Sequence, residues 1–308
     1  MYIATYKTHM LEVSDLHTLY IEESGNPQGI PALFIHGGPG FATKSSDRNF
    51  FDPEKYRIIL FDQRGCGKSL PFGEITDNNT QALVEDIEKI RQYLDVEKFV
   101  ILGGSWGSTL ALCYSIAFPD RVTKLVMRGI FLGTKEEIDL FIEPSGTERY
   151  YPEQFEKMSQ YFNGATGQDL LNKYHKILNG PDEKTALEAA NIWADYEGSM
   201  LKIFPSEKIT PTLTIEKEDN SALPLARLEI LYFLENCFLE DNYIINNAHI
   251  LKDIDITIIQ GRCDVVTPPL FAYRLHKAIK HSTLHMVISA HSGSEPATKV
   301  AIMDALNN

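Results

Sequence analysis

The apolar positions of this chain change period twice. From Pro31 to Phe131, short apolar runs alternate with helix-compatible stretches: Pro31 to Ile35, Tyr56 to Phe61, Lys98 to Leu102 and Val122 to Met127 are the runs, and Thr80 to Leu94 is an amphipathic helix. Short continuous apolar runs suit strands buried on both faces, and their alternation with helices builds βαβ units around a parallel sheet. Residues up to about Gly25 instead alternate like two antiparallel edge strands. From Lys135 to about Asn247 the pattern is helical, without a convincing buried strand, and strand signals return only at Ile254. The pattern predicts an α/β fold with a mostly parallel central sheet, helices on both faces and an inserted all-helical block. The corresponding division is a core of 1–132 and 251–308 and a helical insertion of 133–250. Such an insertion reads either as a cap over the sheet's edge or as a separate domain.

Chemistry enters at Gly103-Gly104-Ser105-Trp106-Gly107, which lies between an apolar strand and the helix-compatible Ser108 to Tyr114. A serine on a sharp strand-to-helix turn is the context of a nucleophile elbow, and the flanking glycines leave room where backbone passes close. By itself G-x-S-x-G also describes an ordinary glycine-rich turn. Hydrolases of this architecture carry their partners in the order Ser, Asp or Glu, His. The strand Asp255 to Gly261 ends in a loop bearing Asp264, and the final strand Leu284 to Ile288 is followed by a loop bearing His291. In a parallel sheet those loops emerge at one edge, so Ser105, Asp264 and His291 converge. The competing readings are Asp264 as a loop or cap carboxylate, and His285 or His281 as the base. Another glycine-rich loop, His36-Gly37-Gly38-Pro39-Gly40, follows the first apolar strand. It offers the N–H of Gly38 as an oxyanion donor beside that of Trp106, with His36 read as structural.

Composition narrows the class further. The 308 residues are 44% hydrophobic, enough for one large domain or a core with an inserted subdomain. The first residues lack the apolar stretch of a signal peptide, no apolar run approaches about 18 residues, and a cytoplasmic protein is the expectation. Cys66, Cys113, Cys237 and Cys263 have no C-x-x-C spacing and read as free thiols, with neither a metal site nor a disulfide framework. A net charge of −13 argues against nucleic acid or an anionic membrane as partner. The segment 133–250 holds 21 acidic and 10 basic residues, a net of −11, so the insertion carries most of the charge. Most of that is solvated helix surface, yet an acidic field favours cationic substrates.

Several segments together resemble the proline iminopeptidases, prolyl aminopeptidases of the α/β-hydrolase class, over nearly the full length. They are His36 to Gly40, Asp62-Gln63-Arg64-Gly65-Cys66-Gly67-Lys68-Ser69, Gly103 to Ser108, Arg128-Gly129-Ile130-Phe131, Gly261 to Val266 and His291 to Pro296. The resemblance implies a serine peptidase that removes N-terminal proline from peptides through an acyl-enzyme, without cofactor or metal. It also implies cap carboxylates that bind the substrate amine, at Glu197 and Glu229, and an apolar pocket for the prolyl ring at Phe131, Phe141 and Phe233. Helical spacing puts Glu229 on a face shared with Leu225, Tyr232 and Phe233, where a carboxylate needs a cation; Arg227 is the alternative partner. Asp62, Arg64 and Lys68 read as support for the oxyanion loop. The chain departs from the family pattern at Ala290, at Tyr196 and in the length of the segment 202–223. The rival readings are a serine esterase or amidase with no need for a free amine, and a non-catalytic binding protein of the same fold.

Overall fold

Within each central strand the apolar side chains split between two faces. Leu33, Ile35, Phe99, Ile101, Leu125 and Met127 join one core, while Ala32, Val100, Leu102 and Val126 join another. A sheet that is apolar on both sides needs helices on both sides. That arrangement is present in the computed structural model, which describes residues 3–203 and 222–307. The strands are β1 (Thr5–Glu12), β2 (Thr18–Gly25), β3 (Ile30–Ile35), β4 (Tyr56–Phe61), β5 (Phe99–Ser105), β6 (Val122–Ile130), β7 (Asp255–Gly261) and β8 (Thr283–Val287). They form one sheet in the order β1-β2-β4-β3-β5-β6-β7-β8. β1 and β2 are antiparallel, β2 runs antiparallel to β4, and all later pairings are parallel.

From β3 the chain steps to β4 on one side and then crosses to β5 on the other. Strands β3 and β5 are neighbours from whose carboxyl ends the chain departs in opposite directions, which opens a crevice of the kind that holds ligands in α/β sheets. Those ends are Ile35 and Ser105. Helices α1 (Thr80–Tyr93) and α2 (Trp106–Ala117) bring Leu83, Ile87 and Leu110 to the larger core.

Among the described residues six α-helices stand between β6 and β7: α3 (Lys135–Ile142), α4 (Pro152–Gln160), α5 (Gly167–Leu178), α6 (Glu183–Ser199), α7 (Ala222–Leu234) and α8 (Tyr243–Asn247). No strand occurs there among the described residues. Ala186, Ala189, Ala190, Trp193 and Glu197 are buried along α6 at three- and four-residue spacing, so one stripe of the helix faces inward. The larger core continues from Ile35 and Leu110 into Leu171, Trp193 and Tyr232 of these helices. Tyr232 fastens α7 to the sheet layer: its hydroxyl donates to Asn78 Oδ1 at 3.0 Å, and its ring meets Trp106 edge-on at 4.9 Å.

After β7, α9 (Pro269–Ala278) brings Phe271 and Leu275 to the larger core. After β8, α10 (Pro296–Asn307) covers the opposite face with Ile302 and Leu306. Among the described residues no helix is long and apolar enough to cross a membrane. Cys66, Cys113 and Cys237 are buried and Cys263 is exposed. Burial pushes the Cys113 thiol up to about 12, as suits an inert core thiol. Of the segment 202–223, residues 204–221 lie outside the described residues, and with them most of the expected change in length.

Candidate active site

Strand β5 ends at Ser105 and α2 opens at Trp106, with no loop between them. Reversal in so little space holds Ser105 at φ 57°, ψ −130°, far from the ordinary regions for an L residue. Strain of this kind survives only where the surroundings over-determine it. Here β3 presses on the turn: a Cβ at Gly107 would lie 2.2 Å from the Ile35 carbonyl oxygen. Trp106 is the first residue of α2, so its N–H has no acceptor within the helix. The serine hydroxyl and a free N–H thus share one end of the sheet.

The loop of Gly38 is stapled to that end by Gln63. Its backbone N–H donates to His36 Nε2 at 3.0 Å, its side-chain amide donates to the His36 carbonyl at 2.9 Å, and its Oε1 accepts from Trp106 Nε1 at 2.9 Å. Burial holds the His36 imidazole below its ordinary pKa, and both ring nitrogens are engaged within the scaffold. Asp62 accepts from the Thr43 N–H and hydroxyl, both at 2.8 Å, and from the Lys68 N–H at 2.9 Å. Arg64 grips Asp86 with two bonds of 2.6 and 2.8 Å, and the Lys68 ammonium lies over the Tyr20 ring. All three charges are spent on loop scaffolding.

The loops after β7 and β8 bring Asp264 to His291. His291 Nδ1 and Asp264 Oδ2 are 2.9 Å apart, both residues are buried, and the ring's Nε2 is left as the edge available to a serine. Among the described residues no hydrogen bond joins Ser105 Oγ to His291, whose Nδ1 also lies 3.2 Å from the Thr267 hydroxyl. Gly129, at φ 54°, makes room for the pair: a Cβ there would lie 3.0 Å from His291 Cε1. Arg128 Nη1 donates to the His291 carbonyl at 3.1 Å. His281 bonds instead to the Ile254 carbonyl, and His285 is exposed on β8.

Two buried carboxylates, Glu197 of α6 and Glu229 of α7, lie in the helical insertion. Trp193 Nε1 donates to Glu229 Oε2 at 2.6 Å, whereas Glu197 Oε2 has no partner among the described residues. Arg227 gives its Nε to the Leu178 carbonyl at 2.8 Å, so it is not the partner of Glu229. Burial pushes Glu197 up to about 8 against the downward pull of the Arg128 guanidinium. Glu229 is pushed well above the carboxylate range, first by burial and then by the neighbouring charge of Glu197. The aromatic residues form one cluster, joined to the pair through Trp193: Phe233 lies 6.3 Å from Phe131, 5.8 Å from Phe141 and 6.2 Å from Trp193 between ring centres. At one departure from the family pattern, the Tyr196 hydroxyl donates to the Phe141 carbonyl at 2.8 Å and so fixes the end of α3. At the other, the Ala290 N–H donates to Glu295 at 2.6 Å.

Trp193, Gln63, Thr267 and Gln260 belong to this constellation without having been singled out in the sequence. Trp193 stands four residues before Glu197, hence on the same helical face, and that spacing was the available signal. Thr267, three residues after Asp264, donates its N–H and hydroxyl to that carboxylate at 2.9 and 3.0 Å. Gln260 donates to Asp264 at 3.1 Å and accepts from the Ile130 N–H at 2.9 Å; nothing in the strand pattern distinguishes it.

A strained serine at a strand-to-helix turn on a mostly parallel eight-stranded sheet defines an α/β hydrolase. A family model described as alpha/beta hydrolase fold matches residues 31–294. Among solved structures, the bromoperoxidase of Bacillus anthracis superposes with a TM-score of 0.70 at 18% identity, covering 98% of this chain and 100% of that one. A proline iminopeptidase-related protein of Thermus thermophilus gives 0.61 at 19%, covering 98% and 97%. At such identities the likeness speaks for the fold. Sequence relatives are more specific. The proline iminopeptidase of Arabidopsis thaliana is 43% identical over 306 residues, 98% of this chain and 80% of the relative. That of Neisseria meningitidis serogroup A is 40% identical over 299 residues, 97% of this chain and 94% of the relative. The chain belongs to the proline iminopeptidase family of α/β hydrolases.

Proposed function

We propose that this protein is a serine aminopeptidase that releases N-terminal proline from peptides. The observation that carries the reading is the pair Glu197 and Glu229: two buried carboxylates, one with an unpartnered oxygen, set among aromatic rings. Uncompensated carboxylates at such depth are costly, and a substrate ammonium supplies the missing charge and donors. The ring of an N-terminal proline then sits among Phe131, Phe141 and Phe233, and its carbonyl carbon faces Ser105. His291 takes the serine proton, Asp264 orients and stabilises the imidazolium, and the N–H groups of Gly38 and Trp106 hold the oxyanion. The imidazolium protonates the leaving amine, and water, deprotonated by the same histidine, hydrolyses the prolyl-enzyme.

In this reading 133–250 is a cap on a core of 1–132 and 251–308. Because the cap supplies the amine site, it selects the scissile bond. The free thiols fit a reducing compartment, and we place the enzyme in the cytoplasm. The test compares a prolyl arylamide with its N-acetylated form. Removing the cation leaves buried carboxylates unpaired, so kcat/KM is expected to fall about 100-fold or more on acetylation. Equal turnover of the two would overturn the aminopeptidase reading in favour of an esterase or amidase.

A further inference from the structure

A cavity of about 320 Å³ opens where the cap meets the loop that carries Asp264. One wall comes from the cap, with Leu140, Arg149 and Tyr150, and the other from the core loop, with Arg262, Cys263 and Pro268. Its size is near the lower end of small-molecule pockets, about 300 Å³. Leu140 of the lining precedes Phe141 on α3, so the cavity and the aromatic cluster around Glu229 draw on the same helix. Asp264 itself lines the cavity, which therefore adjoins the triad.

Its charge is the unexpected feature. In a chain of net charge −13, and beside a cap of net −11, two arginines line one small cavity. Neither guanidinium has an ion-pair partner among the described residues, a condition shared with Arg121, Arg128 and Arg227, whereas Arg48, Arg57, Arg64, Arg91 and Arg274 are paired; only Arg149 and Arg262 share one cavity. Planar guanidinium groups match carboxylates with paired N–H donors. Resting on the aminopeptidase reading, we propose that Arg149 and Arg262 receive the C-terminal carboxylate of a short peptide whose N-terminal residue occupies the pocket of Glu197 and Glu229. The two ends of the substrate would then be read by opposite charges, and the enzyme would favour peptides short enough to reach both.

The test uses tripeptides and tetrapeptides with N-terminal proline, each as free acid and as C-terminal amide. The free acid of at least one length is expected to show a KM about tenfold lower than its amide, with similar kcat. Both arginines are exposed, so 0.5 M salt should shrink that ratio. The Arg149→Ala/Arg262→Ala double variant should bring the acid-to-amide ratio close to one. Equal KM for acid and amide at both lengths overturns the proposal, as does a double variant that weakens both forms alike and keeps their ratio.

Binding is read separately through Cys263, the exposed cysteine on the same wall. In a Ser105→Ala background the free-acid peptide should slow labelling of Cys263 by a thiol reagent more than the amide does, and equal protection overturns the carboxylate site. Failure of the aminopeptidase reading has a different signature: a prolyl arylamide, which has no carboxylate, would be turned over no faster than its N-acetylated form.

Discussion

Asp264 and the Glu197–Glu229 pair are all buried carboxylates, and the protein treats them in opposite ways. Asp264 accepts from Gln260 Nε2, from the Val266 and Thr267 N–H groups and from the Thr267 hydroxyl, and His291 Nδ1 lies 2.9 Å away. Its surroundings supply donors from the strand and from the loop itself. The glutamates receive one such bond between them, from Trp193 to Glu229, and Glu197 Oε2 is left without a partner among the described residues. A buried acceptor without a donor costs about 1–3 kcal/mol, more for charged groups. On the proposed reading, the deficit at the glutamates is one that a substrate ammonium removes. On that reading, Asp264 completes the catalytic machinery from within, and the glutamates are completed by the substrate amine.

Substitutions that neutralise each carboxylate should therefore separate the two regions. Asp264→Asn replaces an acceptor-only group with an amide whose NH2 faces donors, so stability should fall, and kcat should drop about 10⁴-fold, the scale seen when a triad carboxylate is lost. Glu197→Gln and Glu229→Gln should leave the triad intact and lower kcat/KM for free-amine substrates by about 100-fold, with N-acetylated substrates nearly unaffected. Steady-state kinetics on both substrates, with denaturant unfolding of each variant, provides the comparison. A Glu229→Gln enzyme that keeps its free-amine preference would remove Glu229 from the amine site.

Stability should also respond to pH in a direction peculiar to the cap. Glu197 is raised from the ordinary 4.5 to about 8, so between those values the folded state keeps a proton that the unfolded chain releases. The unfolded state then binds fewer protons, and this group makes the protein less stable as pH rises from about 4.5 to about 8. Glu229, shifted the same way, adds to that slope. Glu197→Gln, uncharged throughout, should flatten it and be more stable than the native protein at pH 8, by on the order of 1–3 kcal/mol. Ammonium binding needs the carboxylate form, so KM for the free-amine substrate should fall as pH rises toward 8. Unfolding midpoints at pH 5, 6.5 and 8 give the slope; the same slope in the variant would contradict the assignment to Glu197.

The two regions also differ in how legible they are from residue order alone. Ser105, Asp264 and His291 follow from strand ends, because a parallel sheet delivers all its post-strand loops to one edge and the runs before those loops are unmistakably apolar. The core strands follow for the same reason, although β6 extends to Ile130, three residues beyond its apolar run. The cap glutamates do not follow from periodicity: an acidic residue on a helix is ordinarily solvated, and only the resemblance to a known family singles out Glu197. Glu229 sits on an apolar helical face, but its bond to Trp193 joins residues 36 apart on different helices. Gln63 is equally opaque, since its three bonds join separate loops and a helix that come together only in the folded chain.

Trp193 provides the finest discrimination between the two regions, because it is the only side-chain donor given to the glutamate pair among the described residues. Its ring also packs 5.7 Å from Phe141 and 6.2 Å from Phe233, so removing the whole side chain would confound packing with hydrogen bonding. Trp193→Phe keeps an aromatic ring and deletes the N–H. If the indole N–H helps to hold Glu229 as an anion, its loss should raise that carboxyl's pKa further, since the bond is the one influence that lowers it. The KM for a free-amine substrate should then rise about 15-fold at pH 7, near the lower end of the range for one hydrogen bond to a charged group, and the effect should shrink as rising pH forms the carboxylate regardless. A pH-independent rise in KM would mean that the indole acts through packing alone, and that the glutamate pair is oriented entirely by its substrate.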